Sequence, residues 1–320
     1  MIYLNKEDIL ESLASYAEIM EAVEDAYKAY EIGNYKMPSR LREDMGQNAL
    51  LLMPCINAQG LGTKILTVFP GNSAADKPAI DGVMILNDMA TGEPTAIMDA
   101  KTLTALRTGA LGGVAVKYLA NDKTNTVGVI GAGTQGFYQA VFACSARKVK
   151  VLRVYDNRPE VMDSFIGRVR PEIPYDVDIR YCQSAEELLT DSETVITATN
   201  SNRPVIPDDE ELLKGKCFIG IGSFKPNMRE YPESLFKICR HVYIDTYHAL
   251  HESGDLITPI NEGWIKKDRI SHFGELINAK QGKSVDTILF KAVGMALFDL
   301  FAAQRIFEAA REKGIGQEIK

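Results

Sequence analysis

Positive charge is in short supply in this chain. Its 320 residues carry 36 Lys+Arg against 43 Asp+Glu, a formal net charge of −7 with a pI near 5.3. That balance offers no electrostatic footprint for nucleic acid or for an anionic membrane. A small anionic substrate stays compatible, because one local site can be basic on an acidic protein. Cysteine is sparse too: Cys55, Cys144, Cys182, Cys217 and Cys239 are odd in number, scattered and never in a C-x-x-C pair. This argues against a disulfide framework or a zinc ribbon and fits a reducing cytoplasm. Of four histidines, His248 and His251 lie three apart beside Glu252 and Asp255. Without a third strong ligand at a recognisable spacing they read as a solvated helix face, and no metal is expected.

Other signatures are missing as well. The sequence has no G-x-S-x-G and no Walker loop, and its single Trp264 and scattered Tyr and Phe form no base-stacking pattern. The opening MIYLNKEDIL lacks the apolar stretch of a signal peptide. The longest charge-free run, Thr124 to Ala146, is long enough to span a bilayer. It is broken by Asn125, Gly128, Gly131, Gly133, Thr134, Gln135, Gly136 and Gln139, whereas a bilayer helix is more uniformly apolar. The expectation is a cytoplasmic protein without a membrane or nucleic-acid partner. Hydrophobic residues at 46% and charged residues at 25% are ordinary globular values. The length supports one large or two modest domains.

What is present divides into two textures. Ser15 to Glu18 has the form of a capping box. It precedes a helix with Ile19, Ala22, Val23, Ala26, Tyr27 and Tyr30 on one face. Strand-like runs follow at Ala49–Met53, Lys64–Phe69, Val83–Asn87 and Thr95–Asp99, the last two flanking a Gly-containing hairpin loop, Met89–Glu93. Thr102–Leu119 reads as a helix rich in small residues. From Val127–Ile130 onward, apolar strands at Val149–Tyr155, Val177–Tyr181, Thr194–Ala198, Phe218–Ile221 and Val242–Ile244 are interspersed with helical stretches such as Thr134–Ala146 and Pro159–Val169. That order predicts a parallel sheet covered on both faces. The tail, Val285 to Lys313, reads as helix. Its pattern is that of an element returning to the first, hairpin-rich domain.

Within the second texture, Gly131-Ala-Gly133-Thr-Gln-Gly136 completes G-x-G-x-x-G immediately after the strand Thr126–Ile130 and at the start of a helix. In that context each glycine has a task. Gly131 makes the tight turn, Gly133 lets backbone approach a pyrophosphate, and Gly136 lets helix pack on strand. The helix N-terminus offers unpaired N–H groups and the positive end of its dipole to phosphate. Asp156 ends the next strand, near the offset expected of an acid holding the adenine ribose. A carboxylate there repels a 2′-phosphate, so NAD is expected, with NADP the alternative. Arg158 is either a partial reversal of that preference or a solvated helix-start charge.

Two cations sit in apolar surroundings. Strand alternation puts Lys64 on the face of Leu66 and Val68. It is either a desolvated ammonium that needs an anion or an edge-strand lysine that blocks aggregation. Arg107 lies among small and apolar residues, as for a guanidinium aimed into a cleft. Arg40, near Arg42, is either a third cation of that pocket or a surface charge. Cations converging on one pocket suit an α-carboxylate, which Arg clamps bidentately.

Met37-Pro-Ser-Arg40, Leu61-Gly-Thr-Lys64, Phe69-Pro-Gly-Asn72, Thr104-Ala-Leu-Arg-Thr-Gly109 and the 131–136 fingerprint occur in one order. Together they resemble the ornithine cyclodeaminase/mu-crystallin family over nearly the whole chain. The resemblance implies an α/β fold, with a Rossmann-type doubly wound parallel sheet near 119–293. It also implies a discontinuous α/β substrate-binding and dimerisation domain from 1–118 with 294–320, and a homodimer. It implies that Arg40, Lys64 and Arg107 hold the carboxylate of a small amino- or imino-acid substrate, with Lys64 catalytic and Ser223 beside the substrate. Implied cofactor contacts are Thr108, Gly109, the loop residues Gly131, Gly133, Thr134, Gln135 and Gly136, then Asp156, Asn157 and Arg158. Thr199, Asn200, Gly222 and Ser223 complete that set at the nicotinamide end.

One departure carries functional weight. Deaminating relatives have an Asp where this chain has Ser223 in Gly220-Ile-Gly-Ser223, and many relatives have Ser where it has Ala292. Cyclodeamination and oxidative deamination both need a carboxylate base near Cα, which a serine hydroxyl does not supply near neutral pH. A preformed cyclic imine, protonated at nitrogen, is already electrophilic and chiefly needs orientation against a hydride. The expected activity is therefore NAD(P)H-dependent reduction of a cyclic imine carboxylate such as pyrroline- or piperideine-2-carboxylate. Ornithine cyclodeamination, or a related amino-acid deamination, is the alternative. A binding protein without turnover is a remoter one, opposed by the retained trio of cations.

Overall fold

In a computed structural model describing residues 1–75, 77–279 and 285–319, two compact units emerge, Met1–Arg107 with Met295–Lys320, and Thr108–Gly294. The division falls inside the helix Ala100–Leu119, rather than at the residue 118 end of the expected first domain.

The first unit is built on a mixed sheet of β1 (Ile2–Leu4), β2 (Tyr35–Lys36), β3 (Leu41–Met45), β4 (Asn48–Asn57), β5 (Leu61–Val68), β6 (Ile80–Asn87), β7 (Pro94–Asp99) and β16 (Gln317–Glu318). Their order is β16-β1-β7-β6-β5-β4-β2, with β3 also paired to β4. The hairpin expected at Met89–Glu93 joins antiparallel β6 and β7, with Gly92 at φ 78° in its turn. The helices Ala17–Ile32 and Ala296–Lys313 pack on each other, and the latter also packs on β4, β5 and β6. Ile19, Ala22, Val23, Ala26 and Tyr27 are buried, on the face the 3.6-residue period marked. Tyr27 meets Phe298 edge-on at 4.8 Å between centroids. Tyr30 instead stacks on Tyr35.

The start of that helix differs from the expectation. Glu18 does reach back to the Ser15 and Ala14 amides, at 3.1 and 2.7 Å, but Tyr16 is the N-cap and no side chain caps it. The reciprocal capping box is at Asn5 and Asp8, opening the helix Lys6–Ser12.

The second unit holds β8 (Thr126–Ile130), β9 (Val151–Tyr155), β10 (Asp178–Tyr181), β11 (Thr194–Thr197), β12 (Cys217–Gly220), β13 (His241–Ile244), β14 (Ile270–His272) and β15 (Ile288–Lys291). All pair in parallel, in the order β10-β9-β8-β11-β12-β15-β13-β14. β8, β11, β12 and β15 are almost wholly buried, which is why they read as continuous apolar runs. The chain steps outward from β8 to β10, then returns to β11 on the other side, so the topological switch lies between β8 and β11. In such sheets ligands bind beyond the carboxyl ends of the strands at that switch.

The tail is a correction. Ile288–Lys291 is a fully buried strand inserted between β12 and β13, and helix begins only at Ala296. A four-residue apolar run fits either state, and here the sheet decided.

The small residues of the helix Ala100–Leu119 have a packing cause. A Cβ on Gly109 would meet Phe142 at 2.5 Å and Tyr138 at 2.8 Å, and one on Gly112 would overlap the Gln139 amide. Glycine lets this helix seat directly on Thr134–Ala146.

Candidate active site

Lys64 lies on the covered face of the first unit's sheet and is fully buried. Its β-ladder neighbours are Met53 and Met84, both buried. An isolated ammonium there would cost several kcal/mol. Asp299, fully buried in the helix Ala296–Lys313, answers it: its Oδ2 is 2.6 Å from Lys64 Nζ. The other oxygen, Oδ1, accepts a 3.0 Å hydrogen bond from Arg107 Nε. One carboxylate thus ties two cations drawn from β5 and from the helix that follows β7. Burial pulls the Lys64 ammonium down to about 7; Asp299 works against that fall, while the positive charges of Arg107 and, more weakly, Arg40 add to it. Lys64 and Arg107 therefore share one buried anion, and the positive charge of Arg40 reaches Lys64 more weakly. Of the two readings of Lys64, the edge-strand one is excluded, since β5 lies between β4 and β6.

In the second unit the glycine-rich loop sits at the carboxyl end of β8. Gly131 has φ 103°, a region L side chains rarely adopt, and a Cβ on Gly136 would overlap the Gly131 carbonyl. Gly133 is the N-cap of the helix Thr134–Ala146, and a Cβ there would meet nothing within 4 Å. Gly133 and Thr134 are exposed and Gln135 half-buried. The first amides of this helix have no intrahelical acceptor, and the buried Gln135 Oε1 has no hydrogen-bond partner. Such a cradle fits a pyrophosphate.

Asp156 is buried beside the loop and has structural work of its own. Its Oδ2 accepts from the Ala132 amide at 2.7 Å, and its Oδ1 from the Arg158 amide at 3.0 Å and Arg158 Nε at 3.3 Å. Arg158, largely exposed, is thus paired to the acid that the sequence set against it. Asn157 is exposed between them. Thr108 is half-buried and its carbonyl accepts from Gln139 Nε2 at 2.8 Å, next to the buried Gly109. Thr199 and Asn200 follow β11, while Gly222 and Ser223 follow β12, at the same carboxyl edge of the sheet.

Ser223 behaves differently from the expectation of a substrate contact. It is fully buried, and its hydroxyl donates to the Met228 carbonyl at 2.7 Å and lies 2.8 Å from the Ser253 hydroxyl. The hydroxyl is thus committed to its own loop. His248 and His251 are exposed, but Asp255, expected on the same solvated face, is fully buried. Its Oδ1 accepts from the Glu230 and Tyr231 amides, and burial pushes its carboxyl above the usual carboxylate range. Among the described residues no cluster of His, Cys, Asp and Glu is arranged to hold a metal ion.

A sequence model of the ornithine cyclodeaminase/mu-crystallin family matches residues 2–314. The chain belongs to that family. Its relatives include a Delta(1)-pyrroline-2-carboxylate reductase from Bacillus cereus, 34% identical over 283 residues that cover 86% of this chain and 85% of the relative. Among solved structures, the Thermococcus litoralis Delta(1)-pyrroline-2-carboxylate reductase in complex with NADH and L-proline superposes with a TM-score of 0.92 at 30% identity, covering all of both chains. An archaeal alanine dehydrogenase dimer with bound NAD gives a TM-score of 0.90 at 29% identity, covering 100% of this chain and 99% of that one. The Rossmann-type α/β fold is thus shared with nucleotide-bound members of the family.

Two residues of this family member escaped the sequence reading. Asp299 stands 192 positions from Arg107; its one local signal is an acid inside the apolar run Ala296-Leu-Phe-Asp-Leu-Phe301. Glu230, fully buried, had no local signal at all.

Proposed function

We propose that this protein is an NAD(P)H-dependent reductase of a small cyclic imine carboxylate of the pyrroline-2-carboxylate class. The observation that carries the reading is Lys64: a buried ammonium poised near 7, tied to the Asp299 carboxylate that it shares with Arg107. The similarity to pyrroline-2-carboxylate reductases over most of the chain supports the substrate class. The first unit is the substrate-binding and dimerisation part, and the second is the dinucleotide-binding part.

Arg107 and Arg40 hold the substrate carboxylate, with Lys64 beside them. Lys64 holds the proton that the imine nitrogen needs: a donor whose affinity for protons matches the working pH both carries the proton and releases it. Asp299 keeps that ammonium charged despite burial and fixes its spacing from Arg107. NADH, when bound, supplies the hydride that reduces the C=N carbon. Gly131, Gly133, Thr134, Gln135 and Gly136 cradle the pyrophosphate of that cofactor, with Thr108 and Gly109 adding contacts, and Asp156, Asn157 and Arg158 face the adenine ribose. Thr199, Asn200 and Gly222 border the nicotinamide end. Ser223 supports its loop and supplies no base, which favours reduction over deamination.

The deciding assay follows NADH oxidation with pyrroline-2-carboxylate and piperideine-2-carboxylate, beside ammonia release from L-ornithine and L-alanine with NAD. Net NADH consumption with an imine is the expected result. Ammonia and proline from ornithine without net redox change replace this reading with cyclodeamination, and NAD reduction by L-alanine replaces it with dehydrogenation.

Asp156 sets the cofactor preference. NADH is expected to give the higher kcat/KM, and Asp156→Ser to narrow or invert the ratio to NADPH, since it removes repulsion of a 2′-phosphate and frees Arg158 from its ion pair. A wild type that strongly prefers NADPH overturns this assignment.

The protein works as a homodimer in a reducing cytoplasm. Its five cysteines are unpaired and buried, and no helix among the described residues is long and apolar enough to cross a membrane. β3 exposes all five of its residues, Leu41 and Met45 included. Such an edge is ordinarily covered or paired, and a two-fold axis pairs it economically. Light scattering at micromolar concentration is expected to return twice the 35.4 kDa chain mass; a monomer contradicts it.

A further inference from the structure

Resting on the cofactor reading above, we infer that Glu230 is a positioning residue for the nicotinamide half of the dinucleotide, clamping together the two loops that leave β11 and β12. Its carboxylate is fully buried and accepts four hydrogen bonds. Oε1 takes the Thr199 amide and the Thr199 hydroxyl, both at 2.8 Å. Oε2 takes the Gly222 amide at 2.9 Å and the Ser223 amide at 3.2 Å. These donors lie on two successive loops that leave neighbouring strands, so the loops are joined through this one side chain as well as through the β11–β12 ladder.

Glu230 is itself held from behind. Its amide, with that of Tyr231, donates to Asp255 Oδ1, and its carbonyl accepts from the Val205 amide at 2.9 Å. Lys291 Nζ donates to the Gly220 carbonyl at 3.1 Å and lies 3.7 Å from Asp255 Oδ2, pinning the end of β12 from the neighbouring strand. The loops pack so closely that a Cβ on Gly222 would overlap Thr199 backbone and touch Glu230 Oε1 at 2.5 Å.

A carboxylate suits this task because it is all acceptor, and bonds from amides to a charged oxygen are the strong kind. Its use of the Thr199 hydroxyl turns that side chain inward. Thr199 therefore meets the nicotinamide end through its backbone, and the position of that backbone is what Glu230 sets. The adenine half is held separately, at the ends of β8 and β9, so the two halves of the dinucleotide report on the clamp differently.

The test measures binding directly on the full-length protein, by fluorescence titration with NADH and by calorimetry with ADP, which lacks the nicotinamide half. Glu230→Gln keeps the volume but turns an amide nitrogen toward two donors. It is expected to weaken NADH about tenfold or more, the scale for losing hydrogen bonds to a charged acceptor, with ADP affinity within twofold of wild type. Thr199→Val removes the hydroxyl's bond to Glu230 together with the long one it accepts from the Ser201 amide, leaves the three amide bonds to Glu230, and is expected to weaken NADH about threefold, again sparing ADP; it decides the matter if Glu230→Gln does not fold. Unchanged NADH affinity in the folded variants overturns the inference, and so does an equal loss for ADP, which would mark general damage to the unit. If the wild type binds no NADH, the cofactor reading itself fails and takes this inference with it. Wild-type binding with indifferent variants overturns Glu230 alone.

Discussion

Lys64→Met is expected to lower turnover of a cyclic imine carboxylate by about 10²-fold or more, the scale for losing a positioned proton donor, while NADH binding stays as in the wild type. Methionine keeps the length and apolar stem of lysine and loses only the charged head. Because Met53 and Met84 already flank the site, the variant is expected to fold. The wild-type pH profile carries a matching signature. Burial, first of all, brings the Lys64 ammonium down to about 7, so the protonated donor prevails below that value and disappears above it. Turnover in the reductive direction is expected to fall as pH rises through about 7, with a one-proton slope that Lys64→Met abolishes. Arg107→Met is expected instead to raise the KM for the imine more than it lowers kcat, since a carboxylate clamp acts in ground and transition states alike. Stopped-flow turnover across pH 5 to 9 checks both, and a Lys64→Met enzyme with near-wild-type turnover removes Lys64 from the chemistry.

Asp299→Asn is expected to be the most destabilising single change in the first unit, costing about 3 kcal/mol or more, as when one partner of a buried ion pair is removed. Arg107 and Lys64 would then repel one another without their shared anion. Lysine is the member able to shed its charge, so its protonation shifts further below about 7, because Asp299 is the group that now opposes that shift. Turnover of the variant is therefore expected to be depressed most above neutral pH and to recover partly on acidification. Stability moves the opposite way. The folded-state value for Lys64 lies below its ordinary 10.5, so the native protein binds fewer protons than the unfolded chain between about 7 and 10.5, and stability rises with pH across that window. In Asp299→Asn the window opens at lower pH, so the loss relative to wild type is largest in acid and shrinks toward alkaline pH. Chemical denaturation at several pH values measures this. The double variant Lys64→Met/Asp299→Asn is expected to regain part of the stability, because the lone buried ammonium goes with its partner. A double variant no more stable than Asp299→Asn dissolves the pairing argument.

Ser223 changes meaning between sequence and structure. As a string, Gly220-Ile-Gly-Ser223 differs from deaminating relatives by the loss of a carboxylate. In space, its hydroxyl serves Met228 and Ser253, and an Asp there would add a carboxylate to a loop whose amides already bind the Glu230 carboxylate. The absence of a base at this position was readable from the chain, whereas the inward orientation of the side chain depended on partners 5 and 30 residues away.

The parts legible along the chain are those whose physics is local. The fingerprint from Thr126 to Gly136 is a strand, a turn and a helix in unbroken succession, so each glycine's task follows from its neighbours in sequence. Asp156 at the next strand end follows from the same repeat, as do the buried strands of the parallel sheet and the apolar face of Ala17–Ile32. Composition and charge set the expectation of no nucleic-acid or membrane partner without any fold. What required the tertiary structure is every feature made by charges that meet across the fold. Lys64 was legible as a cation on an apolar strand face, but whether it faced solvent or an anion depended on β4 and β6 flanking it and on Asp299 arriving from the last helix. Glu230 looks like any acid among Met228-Arg-Glu-Tyr231; its role exists only because β11 and β12 end side by side. The strand Ile288–Lys291 was misread for the same reason, since four apolar residues carry no period of their own and take the state that a gap between β12 and β13 imposes. Local geometry is written in spacing; a buried charge is specified by its partner, and spacing does not say where that partner is.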